Sequence, residues 1–471
     1  MSSDQITISD LEKHEQDALN ECWGQLRDKT PRNQLRAAYY DGKNAVKDLG
    51  ISTPPHMRRI ALVLGWSAKA VDTLNRRCKL EGFTTTSDEL AATVDQIMLD
   101  NLLAMEAPQA GISSLIHSTA FLVTTQGIQS EGEPPVIITA KDALSGTGIW
   151  DRRRRVLRNF LSVIETNEDG DPTELVLYMP NLNILASRDG NTWTVDRRPH
   201  DYGVPVEPLV YQPRLARPFG SSRISRAVMS LHDSALRTVL RSEVTAELYS
   251  VAQRVLLGAD ESAFTDADGN MKSMWQAVLG RVWAMGRDEE GNVPDIKEFS
   301  SAPQTPHVEQ LRTWAALFAG ETSIPITSLG IATDSNPTSA QAYEASREDL
   351  FAEAEGTTDG WSPAWRRTMS RALSMYDGTN AAEINQVRPK WRDVRTPSRA
   401  AAADAAGKTI EKFPWLANSE LGLELYGFDQ DFLDRAKVEL RRQRGSAVLD
   451  ILRGAATNVV NDGDGSTDAP A

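Results

Sequence analysis

Apolar positions recur at helical spacing over most of this 471-residue chain and at a period of two over one stretch. From Ile8 to Arg27, Leu11, Ala18, Leu19, Cys22, Trp23 and Leu26 fall among charges, which predicts a surface helix with Ser9 as its N-cap. Helix and turn then alternate up to Arg77, past Tyr39-Tyr40-Asp41-Gly42 and a Pro54-Pro55 break that starts a new segment at His56. Phe121 to Pro213 changes character. Short apolar runs (FLVTT, VIIT, FLSVIE, ELVLYM, TWTV) are separated by turn material such as Glu168-Asp169-Gly170-Asp171-Pro172 and Arg188-Asp189-Gly190-Asn191, which predicts a β-rich domain. A helix-like stretch within it carries Arg152, Arg153, Arg154 and Arg155, readable as a nucleic-acid contact or, more economically, as a solvated charged edge.

Ser221 to Gln253 lacks proline and glycine and carries two apolar lines, one through Ile224, Val228, Leu231 and Ala235, the other through Leu236, Leu240, Val244, Leu248 and Val251. One helix of roughly 50 Å follows at 1.5 Å per residue, and apolar lines on shifting faces call for neighbours on more than one side, which lateral packing in an oligomer supplies. Gly258 to Pro306 is a turn-rich excursion around a short amphipathic segment with Trp275, Val278 and Leu279. A helix resumes near Val308, aligning Leu311, Trp314, Ala315 and Phe318, and stops before Pro325. Leu329 to Asn336 is a small polar loop leading to a helix capped at Thr338 and Gln341, interrupted near Gly356 to Gly360 and resumed through Trp365, Met369 and Leu373. From Pro397 the chain reads as helical, ending in an acidic, Gly-rich tail from Asn461 to Ala471.

Length sets a prior of roughly three domains at about 150 residues each. With 40% hydrophobic and 25% charged residues the composition is that of an ordinary soluble globular protein. No apolar run reaches the roughly 18 residues of a membrane span, and the polar, acidic N-terminus lacks the pattern of an export signal, so a cytoplasmic origin is expected. Cys22 and Cys78 are the only cysteines, in no metal-like spacing. The formal charge of -14 repels phosphate overall, so DNA, if it is a partner, passes by rather than being gripped.

Catalytic motifs fail one by one. Ala402 to Thr409 (AADAAGKT) nearly spells a phosphate loop, but Ala402 replaces the first glycine and the alanines favour helix, so Lys408 reads as a surface lysine. Asp266, Asp268 and Asn270 begin like a calcium loop, yet Met271 and Ala277 occupy the places of its glycine and glutamate. His14, His56, His117, His200, His232 and His307 are scattered singly, with no pair to seat a metal. No cofactor and no enzymatic activity are expected.

Taken in order, several segments resemble the portal proteins of tailed, double-stranded DNA phages, especially the long-tailed phages of actinobacteria. The most specific match is YYDGKNAVKDLGISTPPHMRRIALVLGWSAKAVDTLNRRCKLEGF (Tyr39 to Phe83). Val204-Pro205-Val206-Glu207-Pro208-Leu209 with Gly220-Ser221-Ser222, Ile324-Pro325-Ile326-Thr327-Ser328-Leu329-Gly330, Asn336-Pro337-Thr338-Ser339-Ala340, and Lys390-Trp391-Arg392-Asp393-Val394-Arg395-Thr396-Pro397 add looser matches, so the likeness spans roughly residues 35 to 450.

The resemblance implies a mainly helical α+β portal fold. Its parts are a wing (1–220) with a helical and a β-rich portion, stem helices at 221–257 and 307–328, a clip at 258–306 and a tunnel loop at 329–337. A long helix returning to the wing (338–396), a crown (397–460) and the tail (461–471) complete it. The same resemblance implies a homo-dodecameric ring in the virion, assembled in the host cytoplasm with major capsid and scaffold proteins. Val228, Leu231, Leu236, Leu240, Val244, Leu248, Leu311, Trp314 and Phe318 would be stem contacts between copies. Trp275 and Trp283 would face the clip's partners, the large terminase subunit and then the head-tail adaptor. Thr333, Asp334, Ser335 and Asn336 would face double-stranded DNA without sequence specificity, although a connector with no DNA contact also fits that loop. A helical scaffold or other head-interior protein is the rival reading, and a packaging ATPase or nuclease a more distant one.

Overall fold

In the computed structural model, which describes residues 5–43, 62–85, 87–190, 192–249, 254–257, 295–298, 303–331, 345–377, 384–395 and 399–428 with single residues between 432 and 442, the chain divides into two units, Met1–Pro389 and Lys390–Ala471. In chain order the first holds α1 (Lys13–Tyr40), α2 (Trp66–Asn75), β1 (Leu80–Thr84), α3 (Asp88–Asp100), α4 (Leu103–His117), eight strands from β2 (Thr119–Gln126) to β9 (Val206–Val210), α5 (Arg226–Tyr249), β10 (Arg254–Leu257), β11 (Asp295–Glu298), α6 (Thr305–Thr322) and α7 (Glu348–Asp377).

The first helix starts later and runs further than its apolar pattern predicts. Ser9 lies in a turn, because the Gln16 side chain ties down the segment before it, accepting from Ile8 N–H (3.0 Å) and donating to the Ile6 carbonyl (2.5 Å). Glu12 is the N-cap, and its N–H donates to Glu15 Oε2 at 2.8 Å. Glu15 is itself buried and grips Arg197 of the sheet through both oxygens (2.7 and 3.1 Å), a contact that lowers its pKa. As its pattern predicts, α1 is a surface helix with one buried face: Ala18, Leu19, Cys22, Trp23 and Leu26 are buried while Lys13, Asp17 and Glu21 are exposed.

A five-stranded antiparallel meander supplies the layer beneath it: β4 (Gly146–Asp151), β5 (Val156–Thr166), β6 (Pro172–Met179), β7 (Leu182–Asp189) and β8 (Thr192–Pro199). Strand periodicity sends Leu175 and Leu177 to α1 with Leu161, Val163, Ile184 and Ala186, and sends Val176 and Tyr178 to the opposite face. A bulge in β5 shifts the register between Asn159 and Leu157, so Leu157 joins Phe160 on that second face while Arg158 reaches out to Glu21. The second face closes against a three-stranded sheet, β3 (Val136–Lys141), β2 and β9, through Phe121, Val123 and Val206. Arg152 to Arg155 form the exposed turn between β4 and β5 rather than a helix-like stretch, because the Asp151 carboxylate accepts from the N–H groups of Arg153 and Arg154 and Arg155 turns back at φ 56°.

Both α4 and α7 pack on the smaller sheet. The interruption predicted near Gly356 to Gly360 is absent: α7 is continuous because buried Ala354, Trp361, Trp365 and Met369 outweigh the low helix propensity of its glycines. Arg371 and Arg367 fasten it to the buried Glu207 of β9 at 2.6 and 3.4 Å. In the second unit, α8 (Arg399–Lys412), a 3-10 turn (Pro414–Asn418) and α9 (Glu420–Leu425) follow one another. Ala402 to Thr409 lie within α8, and Lys408 pairs with Asp404 one turn back (2.6 Å).

His117, in the last turn of α4, is buried with its Nδ1 unpartnered. Burial, reinforced by Arg36 and Arg32 and opposed by Asp142, pushes its pKa from 6.5 down to about 4. Below pH 6.5 the unfolded chain takes up a proton that the native site refuses, so this residue makes stability fall as pH drops from 6.5 to about 4, and adds no slope outside that window. Urea unfolding across this range should therefore show a shallower pH dependence in His117→Gln than in the parent; parallel slopes would contradict the assignment.

Candidate functional site

The two helices expected to wall a channel lie side by side. Hydrogen bonds join Ser225 to Glu321 (3.2 Å), Trp314 Nε1 to Thr238 Oγ1 (3.1 Å), Ser242 to Gln304 (2.8 Å) and Thr245 to His307 (3.2 Å). From Ser225 to Thr245 the partner on α6 moves back from Glu321 to the 304–307 turn, so α5 and α6 are antiparallel. The helix predicted from Ser221 to Gln253 starts later, because Ser225 accepts from Val228 N–H (3.1 Å) to begin α5 at Arg226; residues 250–253 lie outside the described residues, and β10 begins at Arg254. Pairing of β10 with β11 brings together the two ends of the excursion that follows α5. Trp275 and Trp283, inside that excursion, and Thr333, Asp334, Ser335 and Asn336 lie outside the described residues, as do Asp266, Asp268 and Asn270.

Burial sorts the predicted stem contacts. Val228, Leu236, Val244 and Phe318 are already buried within the chain and have no surface to give a neighbour. Leu231, Leu240, Leu311 and Trp314 keep part of their surface, and α6 adds exposed Val308 and Leu317, which the apolar pattern had not singled out. Leu248 lies where side chains are outside the described set. The charges of the pair nearly cancel: Arg226, Arg237 and Arg241 against Asp233, Glu243 and Glu247 on α5, and Arg312 against Glu309 and Glu321 on α6.

One short helix seats both. On α2, Trp66 packs on Phe318 of α6 (ring centroids 5.3 Å apart) and Ser67 Oγ hydrogen-bonds His232 Nδ1 of α5 (2.9 Å). His232 also meets the edge of Tyr39, whose hydroxyl donates to Asp233 (2.9 Å), while Tyr40 donates to Asp72 of α2 (3.0 Å). Burial lowers the His232 pKa and raises that of Tyr39. The Tyr39-Tyr40 and Gly65-Trp66-Ser67 steps are thus the residues that anchor the helix pair.

At the root of the pair sits a buried guanidinium. Arg223 donates from Nε to the Ala70 carbonyl (2.7 Å), from Nη2 to the Thr322 carbonyl at the end of α6 (2.6 Å), and from Nη1 to Tyr211 Oη (3.2 Å) and the Glu353 carboxylate of α7. Tyr211 donates to the same carboxylate, and burial holds its phenol protonated by raising its pKa. A cation at a helix C-terminus also meets the negative end of the helix dipole. Gly220, at φ 68°, turns the chain into this root, and a Cβ there would lie 2.0 Å from the Tyr211 carbonyl oxygen. Beyond Thr322, Ser323 ends α6 in the left-handed region (φ 55°), and a 3-10 turn (Ile326–Leu329) leads to Gly330 and the loop. Sequence reading missed this cluster; its one visible signal is a charged Arg223 between Ser222 and the apolar line that begins at Ile224.

Among the described residues no group of His, Cys, Asp or Glu is placed to hold a metal, and no helix is long and apolar enough to cross a membrane. The geometry is that of a structural element: a braced helix pair with residual apolar surface, held at one end by a buried charge network.

The family model described as phage portal protein, SPP1 Gp6-like, matches residues 19–424. The chain belongs to that family of phage portal proteins, a structural family of the virion. It is 28% identical to the portal protein of Mycobacterium phage L5 over 380 residues (79% of this chain, 77% of that one) and 27% identical to the portal protein of Mycobacterium phage D29 over 401 residues (83% and 81%). Among solved structures it is similar to a chain in the neck of a native GTA particle computed with C12 symmetry (16% identity, TM-score 0.38, 76% of this chain and 89% of that one). A chain in the neck of an empty GTA particle computed with C6 symmetry is also similar (14% identity, TM-score 0.42, 74% and 85%).

The Arg223 network makes a stability prediction. Arg223→Ala leaves the partly buried Glu353 carboxylate without its cation and the Ala70 and Thr322 carbonyls without a donor, and should cost on the order of 3 kcal/mol, read as a lowered urea midpoint. The paired replacement Arg223→Met with Glu353→Leu leaves no uncompensated charge and should cost less. Equal losses in the two variants would contradict a charge-compensated root.

Proposed function

We propose that copies of this chain close into a dodecameric ring at one vertex of the capsid, with the α5–α6 pairs walling an axial channel through which double-stranded DNA enters during packaging and leaves at ejection. What carries the reading is the braced helix pair in a chain of the portal family: it is seated on α2, yet Leu231, Leu240, Leu311, Leu317 and Val308, spread over more than one face, stay at least partly exposed. An isolated subunit gains nothing from such a surface, whereas identical neighbours cover it. The near balance of charge along the pair suits a wall past which DNA slides, because fixed cations would pin phosphates.

In this reading the chain is no enzyme and uses no cofactor. The large terminase subunit supplies the energy of translocation and docks on the 258–306 excursion with Trp275 and Trp283, and the head-tail adaptor takes its place after filling. Major capsid and scaffold proteins surround the ring as it assembles in the host cytoplasm. The helical fold of Ala402 to Thr409 supports the absence of a nucleotide site, since backbone N–H groups spent inside a helix are not free to cradle a phosphate. Thr333, Asp334, Ser335 and Asn336 follow directly on the turn that ends α6 and are assigned to the lumen, where small, non-cationic side chains approach the duplex without locking onto it.

Replacing Asp334 and Asn336 with lysine tests the lumen assignment. Rings should form as in the parent, while DNA filling of heads slows or stops. Normal filling by such rings would remove the loop from the channel.

A further inference from the structure

A ring subunit needs two different surfaces, a front and a back, since its contacts are head-to-tail. Two features of the first unit fit each other in this way. One is the turn between β9 and α5. Leu215 at its tip is fully exposed, and Pro213, Arg214, Ala216 and Arg217 around it are exposed. The turn is nonetheless firmly built: Arg214 and Arg217 exchange backbone hydrogen bonds (3.1 and 2.8 Å), and Ser221 N–H donates to the Tyr211 carbonyl (3.1 Å) to close its base. An ordered leucine standing clear of its own fold is surface that a partner covers. Cationic charge gathers behind it, where Arg217 lies close to Arg32 and Arg36 of α1; burial, then these neighbours, lowers the Arg36 pKa to about 10.

The other feature is the corner between α3 and α4. Leu99, Leu102 and Met105 are 69%, 61% and 51% exposed, the largest apolar side chains on that corner, and Leu102 adopts φ 49° to make the turn. Asn101 fixes the corner to β3, donating to the Val136 carbonyl (3.0 Å) and accepting from Ile138 N–H (2.7 Å). The helix leading into it carries Asp88, Glu89, Asp95 and Asp100 and no basic residue, and Asp95 and Asp100 are exposed beside the apolar group.

The two features sit at opposite ends of α4. Tyr211 N–H donates to the Ser118 carbonyl (3.0 Å) just past the C-terminus of that helix, whereas Leu102 precedes its first residue, about 20 Å away at 1.5 Å per residue. Four residues from Tyr211 to Leu215 span at most about 14 Å, so the tip does not reach the corner of its own chain.

We propose that Leu215 of one copy packs on the Leu99–Leu102–Met105 corner of the next copy round the ring, with Arg214 and Arg217 facing Asp95 and Asp100. The contact rests on the ring reading above and adds to it which surfaces of the wing meet. It pairs an apolar knob ringed by cations with an apolar corner ringed by carboxylates, so two knobs or two corners repel and only the head-to-tail arrangement is favoured.

Cysteine crosslinking in the full chain tests it. The native Cys22 and Cys78 are buried, with thiols pushed up to about 12, and do not compete. Oxidation of Leu215→Cys/Leu102→Cys should give a ladder of disulfide-linked multimers reaching ring size on a non-reducing gel, while each single variant stops at dimers. Rings visible by microscopy that yield no ladder would overturn the contact and leave the ring reading standing. A parent chain that forms no rings at any concentration would sink that reading, and this contact with it. If the cysteine pair itself prevents assembly, Arg217→Glu should raise the concentration for half-assembly about tenfold, and Asp100→Arg in the same chain should restore it; failure to restore also overturns the proposal.

Discussion

A guanidinium withdrawn from water must find partners for its donors, and Arg223 finds them on segments far apart in sequence: the Ala70 and Thr322 carbonyls, Tyr211 and Glu353. Because the cost of leaving any of them unmatched is large, the four partners are held in one arrangement. That arrangement fixes where α5 begins, where α6 ends, how α2 lies beneath them and how α7 crosses the small sheet. The segment that follows α6 therefore departs from a point tied to α2, to the end of β9 and to α7.

The layers themselves give that point a stiff support. The five-stranded meander is buried on both faces, by α1 on one and by the three-stranded sheet on the other, so it cannot bend without opening a core. The smaller sheet is in turn held by α4 and by α7 through Glu207. A conduit for a long, stiff polymer needs its walls fixed with respect to the body that sits in the capsid. The charge network at the root and the double-faced sheet behind it provide this by different means, one directional and one by packing.

Much of this architecture is legible in the chain. Short apolar runs between turn residues mark β2, β3, β5, β6 and β8, and the apolar lines of α5 stand out because a helix without proline or glycine has few other readings. Other features are not legible, for identifiable reasons. Boundaries depended on side chains that act locally, such as Gln16 tying down Ile6 and Ile8, and Ser225 capping α5. The turn holding Arg152 to Arg155 looked helical because four arginines carry good helix propensity; one carboxylate, Asp151, decides otherwise. Which apolar residues of α5 face inward was ambiguous while the position of α2 was unknown, and Val228, Leu236 and Val244 proved to be core. Arg223 and Glu353 are 130 residues apart and share no local pattern, so their pairing exists only in three dimensions. The Tyr39 to Phe83 stretch is the reverse case: it is conspicuous as a family likeness, and the structure supplies its physical meaning, since Tyr39, Trp66 and Ser67 are the seat of the helix pair.

The apolar surface left exposed along the α5–α6 pair is made, in this reading, to be covered by identical copies around an axial hole. Electron microscopy of the purified parent chain at single-particle resolution tests it directly. The expected images show closed rings in which the α5–α6 pairs form the innermost wall. Isolated subunits in which Leu231, Leu311 and Leu317 are covered by the chain's own remaining segments would contradict it.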